Sequence, residues 1–357
     1  MRDPGENMTR TAIALIASAL ALAGAAAAAE KTPWNWGDAG NADASFAKSQ
    51  AICRKLGAPV IPAADRPSPA DAAKLKGCDS EALYYGQGQP RDDVKARQCA
   101  ILQAEHGDDG SFFSGDAILM QIYANGRGVA RNLPLATALA CAIESAPAEN
   151  DGRVIHLQSL SAAAGDAKPF DICDDITSGF AEGECSRRDD IATGADRDKK
   201  IAAVAARFPA ASRPAFADLK KALDVFTKAH SEGEVDLSGT ARATFVIEAE
   251  DLERDQFLQD LIRLADGKWP KADHAQAAAM DAKLNLDYKA ALACVAAKTN
   301  LSTVKAEDVR TAQRAWLGYR DAYVRFSALA APSVGADAIA ARMSKLRTLQ
   351  LEKLPCT

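Results

Sequence analysis

Two stretches near the C-terminus decide the fold: DAKLNLDY at residues 281–288 and AQRAWLGYRDAY at residues 312–323. In both, apolar side chains recur three or four residues apart, the spacing of one face of an α-helix. A third periodic stretch follows Pro332. The three faces are formed by Met280, Leu284, Tyr288, Leu292 and Val295; by Val309, Ala312, Trp316, Tyr319, Tyr323 and Phe326; and by Ile339, Met343, Leu346, Leu349, Leu351 and Leu354. Three such helices with short connections predict an antiparallel three-helix bundle at residues 273–357.

The start of the second helix carries its own signal. Ser302 or Thr303 precedes Glu307 and Asp308 by a few residues. A hydroxyl side chain followed by acidic residues is typical of a helix N-terminus, because both satisfy or stabilise its free N–H groups. We therefore expect Ser302 or Thr303 to cap this helix.

The same residues resemble a known family. The pattern resembles the N-terminal domain of the LprI-type lysozyme inhibitor family, a bacterial envelope group, and the resemblance covers roughly a quarter of the chain. It is carried by Met280-Asp281, Leu284-Asn285, Tyr288, Gln313, Trp316 and Tyr319-Arg320-Asp321-Ala322. The resemblance implies a helical domain that binds a protein partner. Its candidate partner-binding residues are Asp281, Asn285, Tyr288, Trp316, Tyr319, Arg320 and Asp321.

Each of these candidates also has a purely architectural interpretation. Trp316 and Tyr319 would fill space between helices, Arg320 would pair with Asp281 or a carbonyl, and Asn285 would bind a helix end. The chain also departs from the family pattern. Val324 stands where the family commonly has a cysteine after its YRDA block, and the HAQAA run at 274–278 lacks the matching one. The usual family cross-link is therefore missing.

Residues 1–29 have the composition of an export signal. A basic start at Met8-Thr-Arg10 precedes the apolar TAIALIASALALAG, and small residues follow it. Met1 and Met8 are the two candidate translation starts, and Met8 suits an export signal better. Removing residues 1–29 takes away two acidic and two basic residues, so the net charge remains −5. The apolar run is too short for a membrane span. We expect a periplasmic or secreted protein with no nucleic-acid partner and no stable membrane span after processing.

Eight cysteines follow this segment. An even number in an exported chain indicates disulfides, and no C-x-x-C spacing supports zinc. We therefore expect no metal and no cofactor. Cys78 and Cys99 are equidistant from the turn of one helical hairpin, and the ends of the first and third bundle helices share a pole. The expected pairs are Cys78–Cys99, Cys173–Cys185, Cys294–Cys356 and, by elimination, Cys53–Cys141.

Two related hairpins occupy residues 70–165. LYYGQG at 83–88 leads to Asp92, and YANGRGV at 123–129 leads to Asn132. The glycines allow tight turns, and Asp92 and Asn132 would each cap the next helix. The fixed separation of forty residues points to a helical solenoid. The Y-x-x-G-x-GV pattern resembles the Sel-one-like repeat, a relative of the tetratricopeptide repeat. The repeat-turn residues are Gly86, Gly88, Gly126 and Gly128.

The remaining segments are an N-terminal lead-in at 30–69, an acidic loop closed by Cys173 and Cys185 at 166–198, and a middle helical region at 199–268. The middle region has an apolar stripe 90 residues before that of the second bundle helix. This region is either a degenerate copy of the bundle or unrelated to it, because any two amphipathic helices show a similar pattern.

No enzyme motif is present: the sequence lacks G-x-S-x-G, H-E-x-x-H and a phosphate loop. We therefore predict an all-α binding protein of the cell envelope with no catalytic residues. The family resemblance implies a protein partner such as a basic lysozyme. An acidic inhibitor would meet such an enzyme with favourable long-range attraction. The alternative is a periplasmic scaffold whose repeats bind partner peptides. A third, weaker alternative is a glycan hydrolase using a carboxylate pair such as Asp108-Asp109 or Asp174-Asp175.

Overall fold

The computed structural model describes residues 34–40, 43–107, 110–162, 168–297 and 299–355, and the predicted export signal lies outside these ranges. Within them the chain forms thirteen α-helices and no β-strand, which confirms the all-α prediction. None of these helices is both long and apolar enough to cross a bilayer. The helices are α1 Ala47–Leu56, α2 Pro69–Lys74, α3 Ser80–Tyr85, α4 Asp93–His106, α5 Gly115–Asn125, α6 Leu133–Ala142, α7 Pro147–Ala162, α8 Gly179–Ala205, α9 Arg213–Gly233, α10 Arg242–Ala265, α11 His274–Val295, α12 Ala306–Ala330 and α13 Ala336–Leu351.

Two hydrophobic clusters organise these helices. The first draws its buried residues from positions 36–185, and the second from positions 201–354. The N-terminal lead-in belongs to the first cluster, because Trp36 is buried and its indole N–H donates to Ser49 at the start of α1. The domain boundaries expected from the sequence stay a prediction.

The α3–α4 and α5–α6 pairs form hairpins with matching turns. In the first, the N–H of Asp92 donates to the Leu83 carbonyl at 3.0 Å; in the second, Asn132 donates to Tyr123 at 2.9 Å. The side chains of Asp92 and Asn132 cap α4 and α6, as expected. The four turn glycines all have positive φ, a conformation that side chains with a Cβ rarely adopt.

The two hairpins also touch each other through a turn. A Cβ at Gly128 would lie 2.7 Å from the carbonyl carbon and oxygen of Asp93, so no larger residue fits there. Arg97 of α4 completes the contact by donating to the Gly128 carbonyl. The second turn therefore rests on the second helix of the first hairpin, as stacked repeats would. Their assignment as Sel-one-like repeats remains a proposal.

Three disulfides join Cys53–Cys141, Cys78–Cys99 and Cys173–Cys185, with Cα–Cα distances of 5.5, 6.0 and 5.9 Å. These are three of the four pairs expected from the sequence. Cys356 lies outside the described residues, so the Cys294–Cys356 pair stays a prediction.

The segment expected as an acidic loop at 166–198 is mostly helix. Only a short 3₁₀ turn at Ile172–Asp175 precedes α8, which begins at Gly179 and runs for 27 residues. The residues of α8 show no apolar stripe from which a helix could be predicted. Ion pairs to neighbouring side chains help to support this helix. Arg197, for example, bonds Asp190, Asp251 and Asp255, the last two on α10.

The C-terminal bundle is less self-contained than expected. The helix α11 packs chiefly on α13, whereas α12 packs most extensively on α9 of the middle region and only slightly on α11. The apolar face of α12 is too wide to be buried by α11 and α13 alone, so α9 covers part of it. The buried aromatic side chains of this face are Trp316, Tyr319, Tyr323 and Phe326.

The expected cap of α12 is also wrong. The helix begins at Ala306 after Lys305, with no side-chain cap. The Thr303 hydroxyl instead bonds Asp236 at 3.1 Å, and Ser302 bonds Asn300 at 2.8 Å. The Ser302 hydroxyl is thus engaged within the loop that precedes the helix, and the Thr303 hydroxyl by the connection between α9 and α10.

Candidate functional site

Arg320 links α12 to α11 at the edge of the C-terminal helices. Its Nη1 lies 3.4 Å from Oδ1 of Asp281, and its Nε and Nη2 lie 3.2 and 3.1 Å from Oδ1 of Asp321. The guanidinium also sits over the Trp316 ring, 5.2 Å from its centroid. The pairing with Asp281 was one of the architectural interpretations, and the contact is present.

The other sequence candidates divide by exposure. Asn285 lies within α11, where its Nδ2 donates to the Asp281 carbonyl at 2.9 Å and to the Asp281 carboxylate at 3.1 Å. It therefore does not bind a helix end. Asp281, Asn285 and Asp321 are exposed, Tyr288 is partly buried, and Trp316 is buried. The accessible part of the family pattern is thus polar, and we call Asp281, Asn285, Arg320 and Asp321 the α11–α12 edge.

Tyr319 belongs to the interior. Its ring stacks on Phe226 of α9, with centroids 5.8 Å apart and planes 12° apart, and it also contacts Phe257 of α10. Burial raises the pKa of the Tyr319 phenol well above its ordinary value. Tyr319 therefore joins the C-terminal helices to the middle region, and a partner would not reach it.

A buried polar cluster lies nearby and was missed by the sequence reasoning. Arg347 of α13 donates to both carboxylate oxygens of Glu234 and, through Nε, to Gln313 at 2.8 Å. His230 Nδ1 lies 2.8 Å from Glu234, and Glu253 lies 3.8 Å from the other His230 nitrogen. The sequence does contain one signal for Arg347. This arginine lies four residues from both Met343 and Leu351, so a charged residue interrupts an otherwise apolar helix face.

The two carboxylates of this cluster are shifted in opposite directions. Burial alone would raise the pKa of Glu234, but hydrogen bonds from His230 and Arg347 outweigh it and lower the pKa. At Glu253, burial dominates and raises the pKa. The cluster is enclosed by α9, α10, α12 and α13, so we assign it to packing rather than to a reaction.

Comparison with protein families gives one result for this half of the chain. Residues 272–351 match the family model described as lysozyme inhibitor LprI. The LprI-matched segment contains α11, α12 and the α11–α12 edge. The comparisons with curated proteins and with solved structures return no match.

The LprI-matched segment differs in charge from the rest of the protein. It carries eleven basic and seven acidic side chains, although the whole chain has a net charge of −5. The acidic surplus lies upstream, and residues 171–198 alone hold nine acidic and three basic side chains. The net charge of the LprI-matched segment therefore does not supply the long-range attraction expected between an acidic inhibitor and a basic lysozyme.

The carboxylates considered for hydrolysis are bound to basic side chains where they are described. Asp174 is paired with Lys168 at 2.9 Å and Asp175 with His156 at 2.8 Å, while Asp108-Asp109 lies outside the described residues. In the described ranges, no group of three or more His, Cys, Asp or Glu side chains is arranged to hold a metal ion.

Proposed function

We propose that this chain is an exported binding protein whose LprI-matched segment blocks a lysozyme-like muramidase or another envelope protein by occupying its cleft. The observation that carries the proposal is the match of residues 272–351 to the lysozyme inhibitor family model. Three disulfides support a location outside the cytoplasm, because such bonds persist in oxidising compartments.

The α11–α12 edge is the part of this segment that would meet the partner. It presents two exposed carboxylates, Asp281 and Asp321, on either side of the half-buried Arg320. Charges at the rim of an interface govern the rate and the salt dependence of association more than its final affinity. The acidic α8 region would supply the long-range attraction for a basic enzyme.

A lysis assay tests the proposal. Purified protein should slow the clearing of a peptidoglycan suspension by a basic lysozyme, and the effect should weaken as salt rises. Asp281→Asn should reduce inhibition, whereas Asp71→Asn, a matched exposed change on α2, should not. Absence of inhibition at large molar excess in low salt would remove lysozyme from the possible partners.

The alternative function, a scaffold that binds peptides through its repeats, has one favourable observation. A cavity of about 570 Å³ beside the hairpin turns is lined by Tyr84, Tyr85, Arg91, Arg127 and Arg131. Arg127 stacks on the Tyr84 ring at 3.6 Å, which leaves a cationic, aromatic wall suited to an acidic peptide. An affinity pull-down from envelope extract would separate the two functions, because Arg91→Gln at the cavity wall should remove the captured partner only under the scaffold function, whereas Asp281→Asn should weaken capture only under the inhibitor function.

A further inference from the structure

A second cavity, of about 560 Å³, is lined by residues of the N-terminal half. It falls in the size range of small-molecule sites. Its walls combine aromatic residues with polar ones from α4, α5, α7 and the loops before α5 and α7; Asp116, Glu144 and Glu149 are the acidic lining residues and Arg153 is the basic one. The lining residues that bear on ligand binding are Trp34, Phe112, Ser145, Glu149, Arg153 and Phe180.

Arg153 on α7 is the unusual member of this wall. Its side chain is 2% exposed, yet its hydrogen bonds go only to neutral groups: the Glu149 carbonyl at 3.2 Å, the Asn150 side-chain oxygen at 2.8 Å, and the Ser145 hydroxyl. In the part of the chain that the structure describes, no carboxylate forms an ion pair with it. A buried guanidinium is normally paired with an acid, because an isolated buried charge is costly.

The nearest carboxylate is committed elsewhere. Both the Thr177 and Ser178 N–H groups donate to one oxygen of Glu149, at 2.9 and 2.7 Å, and this anchors the start of α8. Glu149 and Asp175 attract Arg153 only at longer range. Burial therefore dominates and lowers the pKa of Arg153 to about 10, as expected for a cation that lacks a contacting anion.

The cavity also has an apolar part that is partly open. Phe180, in the first turn of α8, is 59% exposed, and its ring meets Phe112 edge to face with centroids 6.4 Å apart. Trp34 extends this apolar part. An exposed aromatic ring at the mouth of a cavity is suited to a flat apolar group, which it would cover.

We propose that this cavity binds a ligand that carries one carboxylate next to a flat apolar group, with the carboxylate on Arg153 and the apolar group against the rings of Phe112 and Phe180. The C-terminus of a peptide that ends in an aromatic residue has this chemistry, and so has a free aryl-substituted acid. This inference is independent of lysozyme inhibition, which depends on residues 272–351.

Isothermal titration calorimetry with four probes tests the proposal on the full chain. The probes are N-acetyl-Ala-Ala-Phe, its C-terminal amide, 3-phenylpropionate and 3-phenylpropionamide. We expect the acids to bind and the amides to bind at least tenfold more weakly. Tighter binding of the peptide than of phenylpropionate would identify a peptide terminus, and equal binding would identify a free acid. Equal binding of acids and amides, or no binding of any probe at millimolar concentration, would overturn the proposal.

Variants locate the binding. Arg153→Gln should weaken acid binding roughly thirtyfold or more, since it removes the buried partner of the carboxylate. Arg325→Gln, an exposed arginine on α12, is its matched control. If Arg153→Gln does not fold, Phe180→Ala provides the test. This exposed side chain contributes little to folding, so its removal should weaken binding without changing stability. Leu252→Ala, an exposed change on α10, is the control and should change neither binding nor stability. Unchanged binding in Phe180→Ala would place the ligand elsewhere.

Discussion

Arg347 and Glu234 form two hydrogen bonds of 2.5 and 2.6 Å across the second cluster, and neither side chain is exposed to solvent. The pair fixes α13 to the end of α9, because the planar guanidinium accepts only one orientation of the carboxylate. It therefore ties the LprI-matched segment to the middle region. Burying two charges is costly, so the pair contributes more to a unique arrangement than to net stability.

Breaking this pair should be strongly destabilising. Arg347→Met leaves Glu234 buried without its partner and should lower the free energy of unfolding by about 3–5 kcal/mol. Urea denaturation followed by circular dichroism measures the change. Lys228→Met removes one partner of the exposed Lys228–Glu232 pair on α9 and serves as the control, with a change too small to measure. An unaltered urea midpoint in Arg347→Met would show that the pair is not formed in solution.

Glu253 should make stability depend on pH in the opposite sense to Glu234. The pKa of Glu234 is lowered, so its contribution is present at neutral pH and is lost as the pH falls through that lowered value. The pKa of Glu253 is raised, so its ionised form destabilises the fold at neutral pH and the cost disappears on acidification.

We therefore expect Glu253→Gln to raise stability at pH 7 and to have little effect at about pH 3, where the wild-type carboxyl is already neutral. Urea midpoints at both pH values provide the measurement. The same gain at both pH values would mean that the amide helps through packing and not through the removed charge.

Trp316→Ala tests whether the family-pattern tryptophan is structural. The ring is 2% exposed beneath Arg320, so its removal should cost about 3–5 kcal/mol. Leu286→Ala, at a 67% exposed position on α11, should change stability little. The structural role would be wrong if Trp316→Ala retained wild-type stability while losing partner binding.

The LprI-matched segment should not fold alone. The helix α12 buries its aromatic face on α9, and Tyr319 stacks on Phe226, which lies outside the segment. A fragment of residues 272–351 would expose this face, whereas a fragment of residues 199–357 keeps it covered. We expect cooperative thermal unfolding from the longer fragment only. A cooperative transition in the shorter one would show that α11 and α13 suffice.

Cys294 and Cys356 are expected to form the fourth disulfide, joining the ends of the first and third C-terminal helices. It closes a long loop, so the chain-entropy argument gives roughly 4 kcal/mol of stabilisation. Peptide mapping without reduction checks the pairing. Recovery of both cysteines as free thiols would contradict it.

Much of the helical structure could be predicted because apolar periodicity is local. The faces of α11 and α12, the caps Asp92 and Asn132, and the glycine turns all depend on residues a few positions apart. Periodicity does not say which helix covers which, so the pairing of α12 with α9 was missed. The helix α8 was missed because it replaces an apolar stripe with ion pairs such as Arg197–Asp251, which only the folded chain brings together.

The candidate site shows the same limit. The α11–α12 edge could be proposed because its residues lie in two short stretches that match a family pattern. Arg153 has no such signal, since a single arginine in a polar helix is ordinary. Only its burial and the distance of every described carboxylate from its guanidinium make it notable, and both are tertiary properties.

The helix α8 has a mechanical consequence. Its 27 residues make a rod roughly 40 Å long. Cys185 fastens its first half to the N-terminal cluster, while Ile201 and Val204 are embedded in the C-terminal one. Because α8 is one continuous helix, a displacement of one end also displaces the other. If a ligand beside Phe180 displaces the first turn of α8, we therefore expect α9 and α10 to shift as well. A partner that binds the C-terminal end of α8 should then change the affinity for that ligand by the same factor as the ligand changes the affinity for the partner.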